Sequence, residues 1–267
     1  MKLGMMSYSY NKEEIKQIKD YGLDFVEYCV NALEENPTEH LDFLNKLDEI
    51  KNSCKEYGVF VGSVGRWGGI KINEDGSFNT KEIEIDKMLI KAASELGCTI
   101  YLCNCNYAEK LSLYENYTVT IKYFEELIKF GKQYGVKIAT NNCRWNSHVH
   151  SDPAWSVVHG HLKELGIKFD PSHSIVANKE NYLSEMKKWG DRFVHIHIKG
   201  TVMIDGKRFD NPPAGLDMTD WKSFFAILYK VGYNGNLSIE PHSETWQGEL
   251  GDKGIRYTIK TIKDLMV

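Results

Sequence analysis

Short apolar runs alternate with longer amphipathic stretches along the whole chain. The runs are rich in Val, Ile, Phe and Tyr and predict strands near residues 2–7, 24–28, 59–64, 99–104, 136–141, 166–170, 193–199 and 235–240. Between them, apolar residues recur at helical spacing over 12–20, 38–57, 80–96, 115–134, 152–164, 180–189, 219–231 and 251–265. Local signals agree with this division. Thr219-Asp220 opens the helical run from Trp221 to Tyr229, and Gly232 follows its end. Gly22, Gly58, Gly97, Gly135 and Gly166 each precede a strand, as a glycine closing a helix does. Alternating β and α elements predict an α/β fold with a parallel sheet, and eight units of similar size predict a closed (β/α)8 barrel over 1–267 as a single domain. An open doubly wound sheet is the alternative, and no Gly-x-Gly-x-x-Gly turn follows the first strand to support it.

Successive side chains point to opposite faces of a strand, so each run sorts into two sets. In the seventh, Phe193, His195, His197 and Lys199 share one face, and Val194, Ile196 and Ile198 share the other. The aliphatic face belongs under the helices and the polar face inside the barrel. The same count turns Ser238 and Glu240 inward on the last strand, Asp170 on the sixth, Ala139 and Asn141 on the fifth, and Phe25 and Glu27 on the second. Asn141, Asp170, His197 and Glu240 fall at C-terminal strand ends, where barrel enzymes carry their active sites. Buried charges are costly unless paired or bound to a metal. Two carboxylates and an imidazole converging on one mouth therefore imply a cation. Oxygen and nitrogen donors without thiolate suit Mn²⁺, Mg²⁺, Co²⁺ or Zn²⁺. The alternative is a set of buried His–Asp and Lys–Glu pairs without an ion.

Composition narrows the partners. A chain of 267 residues with 42% hydrophobic content suits one large domain. A net charge of −4, with the 33 Lys and Arg scattered, leaves no basic footprint for nucleic acid. No run of 18 apolar residues is present to span a membrane, and the apolar part of the N-terminus is too short for a signal peptide. Cys29, Cys54, Cys98, Cys103, Cys105 and Cys143 form no Cys-x-x-Cys pair, which fits free thiols in the cytoplasm.

The strand-end motifs resemble those of the xylose isomerase-like TIM-barrel superfamily of sugar phosphate isomerases and epimerases. That group also contains ketose 3-epimerases, inosose dehydratases and endonuclease IV-type enzymes. The family's sixth-strand Asp-Pro-Ser-His appears as Asp170-Pro-Ser-His173, and its His-x-His-x-Lys as His195 to Lys199. Its Pro-Gly-x-Gly-type loop and the following helix start look like Pro213-Ala-Gly-Leu-Asp217 and Trp221, and its Ser-Ile-Glu appears as Ser238 to Glu240. The resemblance implies a divalent metal held by a fifth-strand Glu, the sixth-strand Asp, the second seventh-strand His and the last Glu. Three of these are Asp170, His197 and Glu240. In the fourth position the family's Ile-Ala-x-Glu-Asn-Cys reads Ile138-Ala-Thr-Asn-Asn-Cys143, so Asn141 stands where a ligand Glu is expected.

The implied chemistry is metal-assisted proton transfer next to a carbonyl of a sugar or polyol, with Glu240 as base and His173 or Lys199 assisting. Asn141 cannot carry a proton, which disfavours an epimerase using two bases. An isomerisation with one base, or a dehydration by a lyase, is less affected, and a non-catalytic sugar-binding barrel is a further alternative. An endonuclease IV-type nuclease would need a basic DNA surface that a net charge of −4 does not supply. Family members often pair, so the resemblance extends to a homodimer.

Around this centre Glu27, Arg66, Trp67, His195, Arg208 and His242 are candidate substrate contacts. Trp67 offers a face for a sugar ring, and Arg66 and Arg208 offer guanidinium groups for a hydroxyl or an anion. A buried ion pair at Glu27 and ordinary loop packing at Arg66 and Trp67 are the competing roles. Trp145 follows Asn141 and is placed to cover the mouth, and His148 or His150 is a candidate extra ligand. His159 and His161 are expected at a helix surface. Cys103 and Cys105 are expected to face inward as core packing rather than as a metal pair.

Overall fold

The computed structural model describes residues 1–31, 38–177 and 182–267. Its parallel strands β1 (Lys2–Ser7), β2 (Phe25–Cys29), β3 (Phe60–Arg66), β4 (Ile100–Cys103), β5 (Lys137–Asn141), β6 (Gly166–Phe169), β7 (Phe193–Ile198) and β10 (Asn236–Ile239) close into a barrel, with β10 hydrogen-bonded to β1. The helices around it are α1 (Lys12–Asp20), α2 (Glu39–Asn45), α3 (Leu47–Tyr57), α4 (Thr80–Glu95), α5 (Leu113–Gln133), α6 (Asp152–His161), α7 (Pro171–Val176), α8 (Tyr182–Trp189), α9 (Trp221–Lys230) and α10 (Gly248–Lys263). The expected barrel is therefore the observed one. Between β7 and α9 the chain adds an antiparallel hairpin, β8 (Val202–Ile204) and β9 (Lys207–Asp210), that the periodicity did not suggest.

Several elements differ from expectation for local reasons. The helix expected over 38–57 breaks at Lys46 into α2 and α3. α5 starts before residue 115 because Ser112 caps it, its hydroxyl accepting the Glu115 N–H while the Glu115 carboxylate accepts the Ser112 N–H. The start expected for the helix at 180 lies outside the described residues, and the described part is α8. Gly22, Gly58, Gly97 and Gly135 have φ between 65° and 72°, as helix-closing glycines should. Gly166 is different: it belongs to β6, and a Cβ there would lie 2.8 Å from Val194 and 3.2 Å from Ala139. Its missing side chain makes room inside the barrel.

That contact corrects the face assigned to Phe193. The β6–β7 register shifts between Ile167 and Lys168, as a bulge does. Phe193 consequently stacks on Phe169 in the outer layer, with ring centroids 4.7 Å apart. Val194 packs against the inner cluster of Met6, Leu102 and Ala139. His195 and His197 keep the inward face, and Ile196 and Ile198 belong to the shell between barrel and helices. Burying each such aliphatic side chain contributes about 1.5–3 kcal/mol. Cys103 and Cys105 also belong to that outer shell, so they do pack in a core, but on the helix side rather than inward. His159 is buried rather than on the surface, its Nε2 2.9 Å from Thr140 Oγ1 and its Nδ1 3.2 Å from Leu165 O. His161 is exposed, as expected.

Candidate active site

The C-terminal ends of β2, β6, β7 and β10 deliver one continuous ionic chain. Glu27 Oε2 lies 2.8 Å from His195 Nε2 and 2.9 Å from His197 Nε2. His197 Nδ1 lies 2.5 Å from Glu240 Oε2. Lys199 Nζ donates to both Glu240 oxygens at 3.1 Å and lies 3.1 Å from Asp170 Oδ2. His173 Nε2 is 3.4 Å from that same oxygen. A carboxylate has no proton to give, so both ring nitrogens of His197 donate and the ring is an imidazolium.

Burial works against charge throughout, and the neighbours decide the outcome. It favours a protonated Glu27, but His197 and then His195 hold that carboxyl well below the usual range. It opposes ionisation of Glu240 and Asp170 too, and Lys199 leads in holding both down. It favours neutral His197, but Glu27 and Glu240 raise the pKa of that ring. His195 meets only one carboxylate, and its pKa falls because burial prevails. His173 is pushed down to about 3 by burial and then by Lys199.

The backbone around the ends is held by side chains the motifs did not single out. Asn142 Nδ2 donates to Asp170 O at 2.7 Å, and Asn142 Oδ1 accepts the Asp170 N–H at 2.9 Å, tying β5 to β6. Asp170 Oδ1 caps α7 by accepting the Ser172 N–H at 2.9 Å. Its Oδ2 is buried and receives no aligned hydrogen bond. Asn141 Oδ1 accepts the Cys143 N–H at 2.9 Å, which leaves Nδ2 buried without a partner.

These donors fit a divalent cation at three positions. Ligand atoms of Asp170, His197 and Glu240 lie within 4.8 Å of one another, and Asp170 Oδ2, now facing Lys199 and His173, is the oxygen that would turn to such an ion. Glu27, His195 and His197 form a second group of the same size. At the fourth expected position the Asn141 amide is neutral and its oxygen is already engaged.

A cavity of about 320 Å³ opens beside this chain. Trp67, Arg208 and His242 line it, as do His173, His197, Lys199 and Glu240, while Glu27 and His195 lie beneath it. Trp145 lies at its edge, half exposed. Arg66 is not at the mouth: its guanidinium is fully buried against Glu82, 3.1 Å away, and Val30 O. His148 is also elsewhere, with Nδ1 on Cys105 O and Nε2 on Thr120 Oγ1. The residue that sequence reasoning missed is Lys168, which lines the cavity while only 2% exposed. Its signal was its place two residues before Asp170, on the same face of β6.

Solved structures share this architecture. YcjR from E. coli, a 3-keto-D-glucoside 4-epimerase, is 19% identical with a TM-score of 0.75, covering 99% of both chains. D-Psicose 3-epimerase from Clostridium cellulolyticum H10 is 14% identical with a TM-score of 0.75, again over 99% of both. A xylose isomerase domain protein from Planctomyces limnophilus is 16% identical with a TM-score of 0.76, over 98% of this chain and 96% of that one. A Bacillus subtilis (strain 168) protein, YfiH, described as uncharacterized, is 24% identical over 166 residues, 54% of this chain and 52% of its own length. The chain thus spans about half of that curated relative. The family model for the xylose isomerase-like TIM barrel matches residues 15–265, nearly end to end, and the chain belongs to that family.

Proposed function

We propose that this barrel is an isomerase or epimerase-type enzyme that acts on a sugar or close derivative with a divalent cation, Mn²⁺, Zn²⁺, Co²⁺ or Mg²⁺. The observation that carries this is the convergence of Asp170, His197 and Glu240 from three strand ends within 4.8 Å, beside a cavity faced by Trp67 and Trp145. These three residues would hold the ion, which supplies polarisation of a substrate carbonyl and hydroxyl. His197 must lose its second ring proton to do so.

Glu240 is the base. Lys199 holds it ionised and oriented through both oxygens. Burial and Lys199 hold His173 neutral near pH 7, so it would assist by hydrogen bonding at Nε2 rather than by taking up a proton. Asn141 has no proton to exchange, which favours transfer by one base on one face over transfer between two faces. Aldose–ketose isomerisation meets that requirement, and dehydration of a polyol or keto-sugar meets it equally. Trp67 supplies a face for the ring, and its backbone N–H donates to Asn31 Oδ1 at 2.7 Å.

The test combines metal and proton readouts. Protein incubated with Mn²⁺ and desalted should hold near-stoichiometric metal by elemental analysis. It should also exchange a proton next to the carbonyl with D₂O, read by NMR across ketoses, ketose phosphates and hexuronates. Glu240→Gln should lose the exchange and keep the fold. Protein that takes up no metal and exchanges nothing would rule the enzyme out.

A further inference from the structure

Of the cations that line the mouth among the described residues, Lys168 and Arg208 are not used by the proton chemistry, and Lys168 is the buried one. It lies on β6 in register with Asn141 on β5, and its side chain enters the cavity with only 2% of the residue exposed. Among the described residues no carboxylate lies within 4.0 Å of its ammonium, and it makes no hydrogen bond to any of them. The three carboxylates nearby are engaged elsewhere: Glu27 with His195 and His197, Glu240 with His197 and Lys199, Asp170 with Lys199. Arg208 reaches the same cavity from β9 and likewise has no ion pair among the described residues.

An ammonium removed from water without a direct ion pair is unfavourable, and Asp170 and Glu240 attract Lys168 only from beyond 4.0 Å. Without an ion, Glu27, Asp170 and Glu240 match Lys168, Lys199 and the His197 imidazolium, three charges against three, and binding a divalent ion breaks that balance. With the imidazoles neutral, three carboxylates would face two ammonium groups and two ionic charges, an excess of one positive charge before Arg208 is counted. An anionic group in the cavity would supply the missing negative charge.

We propose that the ligand of this mouth carries an anionic group, a carboxylate or a phosphate, and that Lys168 receives it, with Arg208 closing over it from the hairpin. This inference rests on the sugar reading above and gives it a class: a sugar acid or a sugar phosphate, unlike the D-psicose and D-tagatose named for the solved structures. Lys168 contributes a fixed charge and a set of donors, and the ligand oxygens accept from it.

Thermal melting of the Mn²⁺-treated protein tests this. The probes are D-glucuronate and other hexuronates, D-glucose 6-phosphate and other hexose phosphates, D-glucose, D-psicose and inorganic phosphate, with wild type, Lys168→Met and Lys168→Arg. An anionic sugar should raise the melting temperature of wild type by several degrees, and neutral sugars should not. Hexuronates against hexose phosphates decide which anion is bound. Lys168→Met should lose the shift and Lys168→Arg should keep most of it. Without ligand, Lys168→Met should melt above wild type, because it removes a buried charge that has no direct ion pair. Lys168→Gln replaces the methionine variant if that one does not fold. Neutral sugars that stabilise wild type and Lys168→Met alike would overturn the anionic ligand and leave the sugar reading standing. A shift from inorganic phosphate alone, dependent on Lys168, would keep the anion site and remove the sugar. No shift from any probe, together with a Lys168→Met variant that melts no higher than wild type, would overturn both.

Discussion

Among the described residues, one buried charge cluster lies behind the barrel wall and another in its mouth. Behind the wall, between β3–β4 and α4–α5, Arg66 and Lys71 meet Glu82 and Asp86. Lys71 Nζ is 2.7 Å from Asp86 Oδ1, which also accepts Tyr101 OH at 2.8 Å, and Asp86 Oδ2 accepts Tyr123 OH at 2.5 Å. Both Glu82 oxygens accept from Arg66. Positive and negative charges balance there, and each carboxylate oxygen has a donor. The mouth is less fully paired. His195 Nδ1 and Asn141 Nδ2 are buried without hydrogen-bond partners, and Lys168 has no ion pair within 4.0 Å among the described residues. Burial and charge are common to both clusters, so neither marks a site. What distinguishes the mouth is unfilled bonding capacity facing a cavity.

The largest expected effect breaks the closed cluster. Asp86→Ala leaves Lys71 buried with only Glu82, at 3.2 Å, and removes the acceptor of two tyrosines. It should cost about 3–5 kcal/mol, measured by urea unfolding. The metal bound per folded molecule should stay as in wild type. Loss of metal in that variant would mean that the two clusters are coupled.

A second effect separates burial from carboxylate pairing as the cause of imidazole charge. His159 is as buried as His197 but meets Thr140 Oγ1 and Leu165 O instead of carboxylates. Burial pushes its pKa from 6.5 down to about 3, whereas the pKa of His197 is raised. Below pH 6.5 the unfolded chain protonates this histidine and the folded chain does not until about pH 3. The stability it contributes is therefore complete above 6.5 and is lost as pH falls through that window, by a few kcal/mol. His159→Gln should flatten that part of a plot of melting temperature against pH. An unchanged acid limb would show that His159 is not held neutral.

The same contrast explains what could be read from the chain. Period-2 runs located the barrel strands closely, because a strand buried on both faces must be apolar on at least one. The Asp170, His197 and Glu240 positions followed from counting faces. Counting failed at Phe193, where a bulge shifts the phase, and a bulge leaves no compositional trace. The β8–β9 hairpin is short and mostly exposed, so no apolar alternation marks it. Arg66 was expected at the mouth because, with Trp67, it follows the third strand. Its partner Glu82 is distant in sequence, and the pairing is set by how α4 packs on β3. Lys168 was passed over because a lysine in a strand commonly reads as solvent-facing.

At the mouth, Asp170→Asn should weaken Mn²⁺ binding by more than the roughly 10- to 100-fold that loss of an outer-shell partner costs. It should leave the cavity intact, because Asn keeps an oxygen to accept the Ser172 N–H that caps α7. Equilibrium dialysis with elemental analysis gives the number. Binding equal to wild type would place the ion instead at Glu27, His195 and His197, the other candidate group.

The smallest effect is at Asn141, and it bears on the comparison most directly. Asn141→Glu supplies the carboxylate that the resemblance implies for this strand end and places it in register with Lys168. Two cations then compete for it. The ion gains an anionic ligand, and the unpaired ammonium gains a counter-charge. Because Lys168 takes part of that charge, Mn²⁺ affinity should improve by no more than about tenfold, about 1.4 kcal/mol. In a Lys168→Met background the competitor is gone, so the same substitution should tighten Mn²⁺ further. The difference between the two gains is the coupling energy of the pair. Equal gains in both backgrounds would show that Lys168 and position 141 do not interact. The open charge at the mouth would then have to be matched from elsewhere.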